Sequence, residues 1–212
     1  MPTVIAYGED ALTYWALTTQ TEQFLRQLGD ESPAEAILVV YRPSFGRRGA
    51  AHGQGTGGTS SAQFGEFDAI VATPQGIYLV ESKWDASSEL RDGVITLRPE
   101  QCARHRILRW YLDRWFQARP ANWRSFVAHG SHSFEAEFPG LRMAPEGSKL
   151  AGNLEFLLDE LGAYGHDMRD VLLYLTAAEG DLPCAVKPEG FSLVCLRYDV
   201  LGGSAYFTLE HA

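Results

Sequence analysis

The sequence predicts an α/β fold in which a mixed central β-sheet is flanked by helices. Three observations carry that expectation. Residues 67–83 read as two strands folded around a tight turn, with β-branched and aromatic residues on both sides of Thr73, Pro74, Gln75 and Gly76. Residues 9–28 and 99–117 space apolar side chains at helical intervals before and after that hairpin. Further apolar runs of strand length at 36–41, 171–175 and 191–198 supply the rest of a sheet.

Taken in order, residues 9–28 place Leu12, Trp15, Ala16, Leu17, Phe24, Leu25 and Leu28 on one helical stripe, which Gly29 ends. The run 36–41 is continuously apolar and reads as the first central strand. Residues 42–65 are crowded with Gly, Ser and Thr. The seven glycines between Gly46 and Gly65 cannot pack a core, so this is expected to be a long loop of functional interest, without the GxxxxGK[ST] pattern of a phosphate cradle. In the hairpin, Gly76 is expected to supply a positive φ where the second strand starts.

After Lys83 comes a polar excursion, 84–98, with a turn expected at Asp92 and Gly93. Pro99 opens a helix running to about Gln117, whose core stripe is Leu108, Tyr111, Leu112 and Trp115. Carried back by helical steps, that stripe reaches Gln101, Arg104 and His105, and Gln101 and His105 are expected to face a functional site. Residues 118–149 show no readable pattern, and His129 and His132 lack the further ligands of a zinc site. Helical spacing returns at 149–161. Strands follow at 171–175, 191–198 and 205–209, the last two expected to form an edge hairpin through Gly202 and Gly203. No internal repeat or second domain boundary is visible, so 1–212 reads as one domain.

Three ionisable residues interrupt the hairpin. Side chains alternate across a strand, so Glu81 and Lys83 share a face with Ile77 and Leu79 while Ser82 points the other way. An even loop places Asp68 opposite Glu81, with Cβ atoms roughly 5 Å apart. A three-residue loop with a glycine bulge would instead oppose Asp68 to Ser82. The even register is the expected one. Two carboxylates so close repel unless one takes up a proton or a cation lies between them. Mg²⁺ favours such oxygen donors and completes its shell with water and phosphate oxygens. Lys83 would add a second positive group, and together these suit phosphodiester hydrolysis. The bland alternative is a surface hairpin with Glu81 and Lys83 on its solvated side, against which Ile77 and Leu79 on the same face argue.

Asp68 followed by Glu81, Ser82 and Lys83 across a hairpin resembles the signature of the PD-(D/E)xK nuclease superfamily, over roughly residues 9–117. Phe67 stands where the name-giving proline would be. The resemblance implies a restriction-endonuclease-like αβββαβ core, Asp68 and Glu81 as ligands of Mg²⁺ or Mn²⁺, and Lys83 orienting or activating the attacking water. It also implies a carboxylate from the first helix, for which Glu9 is preferred to Glu22, and a polar residue of the later helix, here Gln101, touching metal water or phosphate. A non-catalytic nucleic-acid-binding or protein-interaction module that keeps the nuclease fold is the alternative reading.

The 212 residues are 45% hydrophobic and 12% aromatic, enough for a sizeable core, and disorder is not expected over most of them. The net charge of -9 speaks against a generally basic nucleic-acid binder. Its distribution speaks for a local one: residues 91–124 hold eight arginines and three acidic residues, a balance of +5 that leaves -14 for the rest. Arg98, Arg104, Arg106 and Arg109 are the expected phosphate contacts, joined by Arg42, Arg47 and Arg48, with DNA favoured over RNA. A homodimer is compatible with the sequence. Cys102, Cys184 and Cys195 have no metal-binding spacing and leave an odd thiol, which points to a reducing cytoplasm. Neither a signal peptide nor an apolar span of membrane length is expected.

Overall fold

The computed structural model describes residues 4–46, 62–85, 87–177, 182–201 and 206–209. Its elements run β1 (Val4–Tyr7), α1 (Glu9–Thr19), α2 (Thr21–Gln27), β2 (Leu38–Tyr41), β3 (Ser44–Phe45), β4 (Gly65–Glu66), β5 (Ala69–Ala72), β6 (Gly76–Trp84), β7 (Leu90–Arg91), β8 (Val94–Thr96), α3 (Pro99–Ala118), α4 (Trp123–Glu137), α5 (Lys149–Leu161), β9 (Asp167–Ala177), β10 (Ala185–Lys187), β11 (Phe191–Tyr198) and β12 (Tyr206–Leu209). The chain divides into two compact units, one of Met1–Arg42, Phe67–Gln101 and Tyr164–Ala212, the other of Pro43–Glu66 and Cys102–Ala163.

The first unit is built on a mixed five-stranded sheet in the order β11-β9-β6-β5-β2. β2, β5 and β6 form an antiparallel meander, and β9 and β11 continue it in parallel beyond β6. Helices α1 and α2 cover one face. Leu12, Ala16, Leu17, Phe24 and Leu25 pack there on Val71, Tyr78, Val80, Leu173, Val194 and Leu196, all essentially buried. The leucine, valine and phenylalanine side chains among them each contribute about 1.5–3 kcal/mol by leaving water. The alternation of β6 leaves Glu81 and Lys83 on the other face with Ile77 and Leu79.

The expected single helix over 9–28 is in fact two. The hydroxyls of Thr18, Thr19 and Thr21 bond back to the carbonyls of Tyr14, Trp15 and Leu17, competing with the helical ladder around Gln20. The expected edge hairpin is also corrected. β11 is the edge strand of the central sheet, but β12 pairs antiparallel with β1 in a separate two-stranded sheet. The side chain of Phe207 turns into the core, 5.6 Å from the ring of Tyr198. Among the described residues no helix is long and apolar enough to cross a membrane.

In the second unit, α4 occupies much of the stretch that gave no sequence pattern. Asn122 and Ser125 form a reciprocal capping box at its start. Trp110, Tyr111, Trp115, Trp123, Phe126 and Phe134 build an aromatic core, with ring centroids 4.9–6.2 Å apart.

The turn between β5 and β6 fixes the register on which the site depends. Thr73 N–H donates to the Gly76 carbonyl (2.9 Å), and Thr73 Oγ1 accepts from the N–H groups of Gln75 and Gly76 (both 3.1 Å). The hydroxyls of Thr73 and Tyr78 both donate to buried Asp30 Oδ2 at 2.6 Å. Burial alone would raise the Asp30 carboxyl, but hydrogen bonds from Ser32, Thr73 and Tyr78 hold it below its ordinary range.

Gly76 does not take the expected positive φ. A side chain there would meet the Asp167 carbonyl at 2.6 Å, so glycine is required for the close approach of β9. Gly165 seats the turn from the other side, donating its N–H to the Thr73 carbonyl (2.9 Å). A Cβ on Gly165 would lie 2.4 Å from the Gln75 carbonyl carbon. Gly165→Ala is therefore expected to destabilise the protein by about 2 kcal/mol, read as a thermal midpoint lowered by roughly 4–8 °C.

Candidate active site

The register pairs Ala69 with Val80 and Ala72 with Ile77, which sets Asp68, the residue before β5, opposite Glu81. The even loop expected from the sequence is the one observed. Asp68 Oδ2 accepts the Ser82 N–H at 2.7 Å, so its carboxyl is held against β6. Glu81 and Lys83 are both buried, and Lys83 Nζ donates to Glu81 Oε1 (2.9 Å) and to the Ser82 carbonyl (2.6 Å).

Helix α1 brings a third carboxylate. Thr13 Oγ1 hydrogen-bonds Ser82 Oγ at 2.6 Å and the Glu9 carbonyl at 2.8 Å, pinning the helix start to β6. Glu9 Oε1 then stands 3.9 Å from Lys83 Nζ. Glu22 is exposed on α2 and is not the carboxylate that meets Lys83. Gln101, in the first turn of α3, donates from Nε2 to Glu81 Oε1 and accepts the Arg98 N–H at 2.6 Å. Gln101 thus reaches Glu81 from the first turn of α3.

One neighbour escaped the sequence reading. Glu89 lies at the base of a hairpin whose turn, Asp92 and Gly93, takes φ values of 50° and 73°, as a two-residue loop of inverted hand requires. The Glu89 carbonyl accepts the Thr96 N–H at 3.1 Å. Its carboxylate reaches Lys83 Nζ at 3.6 Å and Arg98 Nε at 2.6 Å. Nothing in its local pattern within the polar stretch 84–98 singled it out.

Four carboxylates thus surround one ammonium. Burial first, then the charge of Glu81, push the Asp68 carboxyl up from 3.8 to about 7. Burial likewise raises Glu9, with Lys83 opposing and Glu81 and Glu89 reinforcing. Desolvation would lower Lys83, but Glu81, Glu9 and Asp68 together raise it, so it stays an ammonium.

An acid whose folded pKa is raised contributes stability that is complete below its unfolded pKa and lost as pH rises through the folded one. Metal-free wild type should therefore lose stability relative to Asp68→Asn between pH 4 and 8, steepest at about pH 5–6 and levelling off above 7. Thermal midpoints of both proteins in EDTA across that range provide the check. A constant difference would contradict the assigned repulsion.

The donor set fits a hard divalent cation. Asp68 and Glu81 offer carboxylate oxygens from adjoining strands, and their repulsion is what such an ion relieves. Among the described residues no group of three or more His, Cys, Asp or Glu side chains is arranged to hold a metal ion by itself. Water and substrate oxygens would complete the shell, as Mg²⁺ prefers.

The arginines expected to meet phosphate are engaged in several ways. Arg42 pairs with Asp10 and Arg98 with Glu89, while Arg104 donates to the Glu66 carbonyl and Arg106 lies 5.8 Å from the centre of the Phe138 ring. Arg109 also has an interaction partner. Arg47 and Arg48 lie outside the described residues. His105 is buried in α3. No family model, curated protein or solved structure matches this chain.

Proposed function

We propose that the chain is a divalent-metal-dependent nuclease of the PD-(D/E)xK type, hydrolysing phosphodiester bonds of nucleic acid, with DNA favoured. The observation that carries the reading is Asp68 opposite Glu81 on adjoining strands, beside the buried ammonium of Lys83. The order of α1, β2, the β5–β6 hairpin and α3 agrees with a restriction-endonuclease-like core.

Asp68 and Glu81, with Glu9 at the helix start, would hold Mg²⁺ or Mn²⁺. When bound, such an ion lowers the pKa of a coordinated water and neutralises phosphate charge. The residues do the rest. Lys83, fixed by Glu81 and the Ser82 carbonyl, would offer its charge to negative charge growing on phosphorus and would orient a water. The Gln101 amide fixes the Glu81 carboxylate. Arg98, largely exposed beside Glu89, would exchange that carboxylate for a phosphate oxygen.

The test is incubation of the full chain with supercoiled and linear plasmid, single-stranded DNA and RNA, with Mg²⁺, with Mn²⁺ and with EDTA. Cleavage of at least one substrate that EDTA abolishes and Asp68→Asn lacks is the expected outcome. Retention of a labelled nucleic acid without any cleavage would overturn catalysis in favour of a binding module.

A further inference from the structure

Glu89 is the one carboxylate of the cluster for which the reaction above has no use. Its side chain is only 9% exposed, and among the described residues neither carboxylate oxygen has a well-aligned hydrogen-bond partner. A buried carboxylate without hydrogen bonds is costly, so its retention against an apolar residue calls for compensating charges. Two are present, on opposite oxygens: Arg98 Nε lies 2.6 Å from Oε1, and Lys83 Nζ lies 3.6 Å from Oε2. The backbone holds the group still, because the Asp92-Gly93 hairpin closes directly above it and the Glu89 carbonyl is tied to Thr96.

Lys83 has three N–H donors. Glu81 and the Ser82 carbonyl take two. Glu89 at 3.6 Å and Glu9 at 3.9 Å lie too far from Nζ for hydrogen bonds but close enough for strong attraction in a buried setting. Among the described residues the third donor makes no hydrogen bond, and its nearest further anions are Glu89 and Glu9. We propose that Glu89 is a positioning residue, which aims the Lys83 ammonium at the attacking water and holds Arg98 at the rim until a phosphodiester anion displaces it. The inference rests on the nuclease reading for its kinetic part, and its positional part stands on geometry alone.

Removing the charge of Glu89 while keeping its shape should then have two opposite effects. The ammonium loses one of its guides, so turnover falls, whereas Arg98 is released to the substrate, so apparent affinity rises. The experiment compares wild type with Glu89→Gln in Mg²⁺-dependent cleavage of plasmid DNA, alongside the ¹⁵N-resolved ammonium signals of the metal-free full chain. The sequence has only three lysines, Lys83, Lys149 and Lys187, which makes the Lys83 signal assignable by substitution.

The expected result is kcat lowered about tenfold, the change of roughly 1.4 kcal/mol in barrier that one lost electrostatic guide entails, with KM lowered severalfold. The Lys83 signal should shift and exchange faster with water. Unchanged kcat and an unchanged Lys83 signal in folded Glu89→Gln would overturn the inference, as would a lowered thermal midpoint with no split between kcat and KM. If wild type cleaves nothing, a Lys83 signal that responds to Glu89→Gln supports the positioning role while the nuclease reading fails. An unresponsive signal overturns both. Should Glu89→Gln not fold, Glu89→Asp, which keeps the charge but withdraws it from Nζ, takes its place with the same expected direction.

Discussion

Lys83→Ala should lower phosphodiester cleavage by roughly a hundredfold or more, the scale set by removing one electrostatic stabiliser of the transition state. The ammonium is buried, bonded to Glu81 and the Ser82 carbonyl, and held in its charged form by Glu81, Glu9 and Asp68. On the proposed mechanism its charge would act most strongly as negative charge builds on phosphorus, so affinity for nucleic acid should change far less than turnover. Metal affinity should not fall, because the carboxylates lose a competitor. Stability in EDTA should fall, since the substitution leaves Glu81 buried without its counter-charge. Single-turnover cleavage and thermal midpoints, measured side by side, separate the two effects. A folded Lys83→Ala protein that cleaves at the wild-type rate would remove Lys83 from the mechanism.

The second large effect is a divergence between the two strand carboxylates. Glu81→Ala removes both an expected metal donor and the partner of the Lys83 ammonium. Cleavage should be abolished, and stability should fall by about 3–5 kcal/mol, the cost of breaking one side of a buried ion pair. Asp68→Asn should abolish cleavage as well, yet raise metal-free stability at pH 8. The reason is the sign of its perturbation: Asp68 is pushed up to about 7 by burial and by Glu81, so at pH 8 its charge is a burden on the fold. Its hydrogen bond from Ser82 N–H can still be accepted by an amide oxygen. Denaturant unfolding of both variants in EDTA tests the divergence, and equal destabilisation would contradict it.

Local patterns made the centre of the molecule legible. Alternation and turn chemistry placed Asp68 opposite Glu81, and the strand 191–198 and helix 149–161 have the bounds read from the sequence. Helical stepping back from Leu108 found Gln101. What escaped depends on contacts distant in sequence. β1 is four residues long and is a strand because β12 pairs with it. In α4 the apolar positions Trp123, Phe126 and Phe134 are spaced helically, but Gly130, two histidines and three serines between residues 123 and 137 dilute the pattern. Asn122 with Ser125 was the signal available there. Glu89 reads as one more charge in a polar connection until the hairpin above it folds, and its role arises only from nearness to Lys83 and Arg98.

The claim on which the rest stands is that Asp68 and Glu81 form a divalent-cation site. Calorimetric titration of Mn²⁺ into EDTA-stripped protein at pH 6 and pH 8, for wild type, Asp68→Asn and Glu81→Ala, tests it most directly. Saturable binding by wild type that each substitution weakens by at least tenfold, with affinity in wild type rising from pH 6 to pH 8 as Asp68 gives up its proton, is the result the account predicts. Mn²⁺ binding that is absent from wild type, or identical in all three proteins, would contradict it.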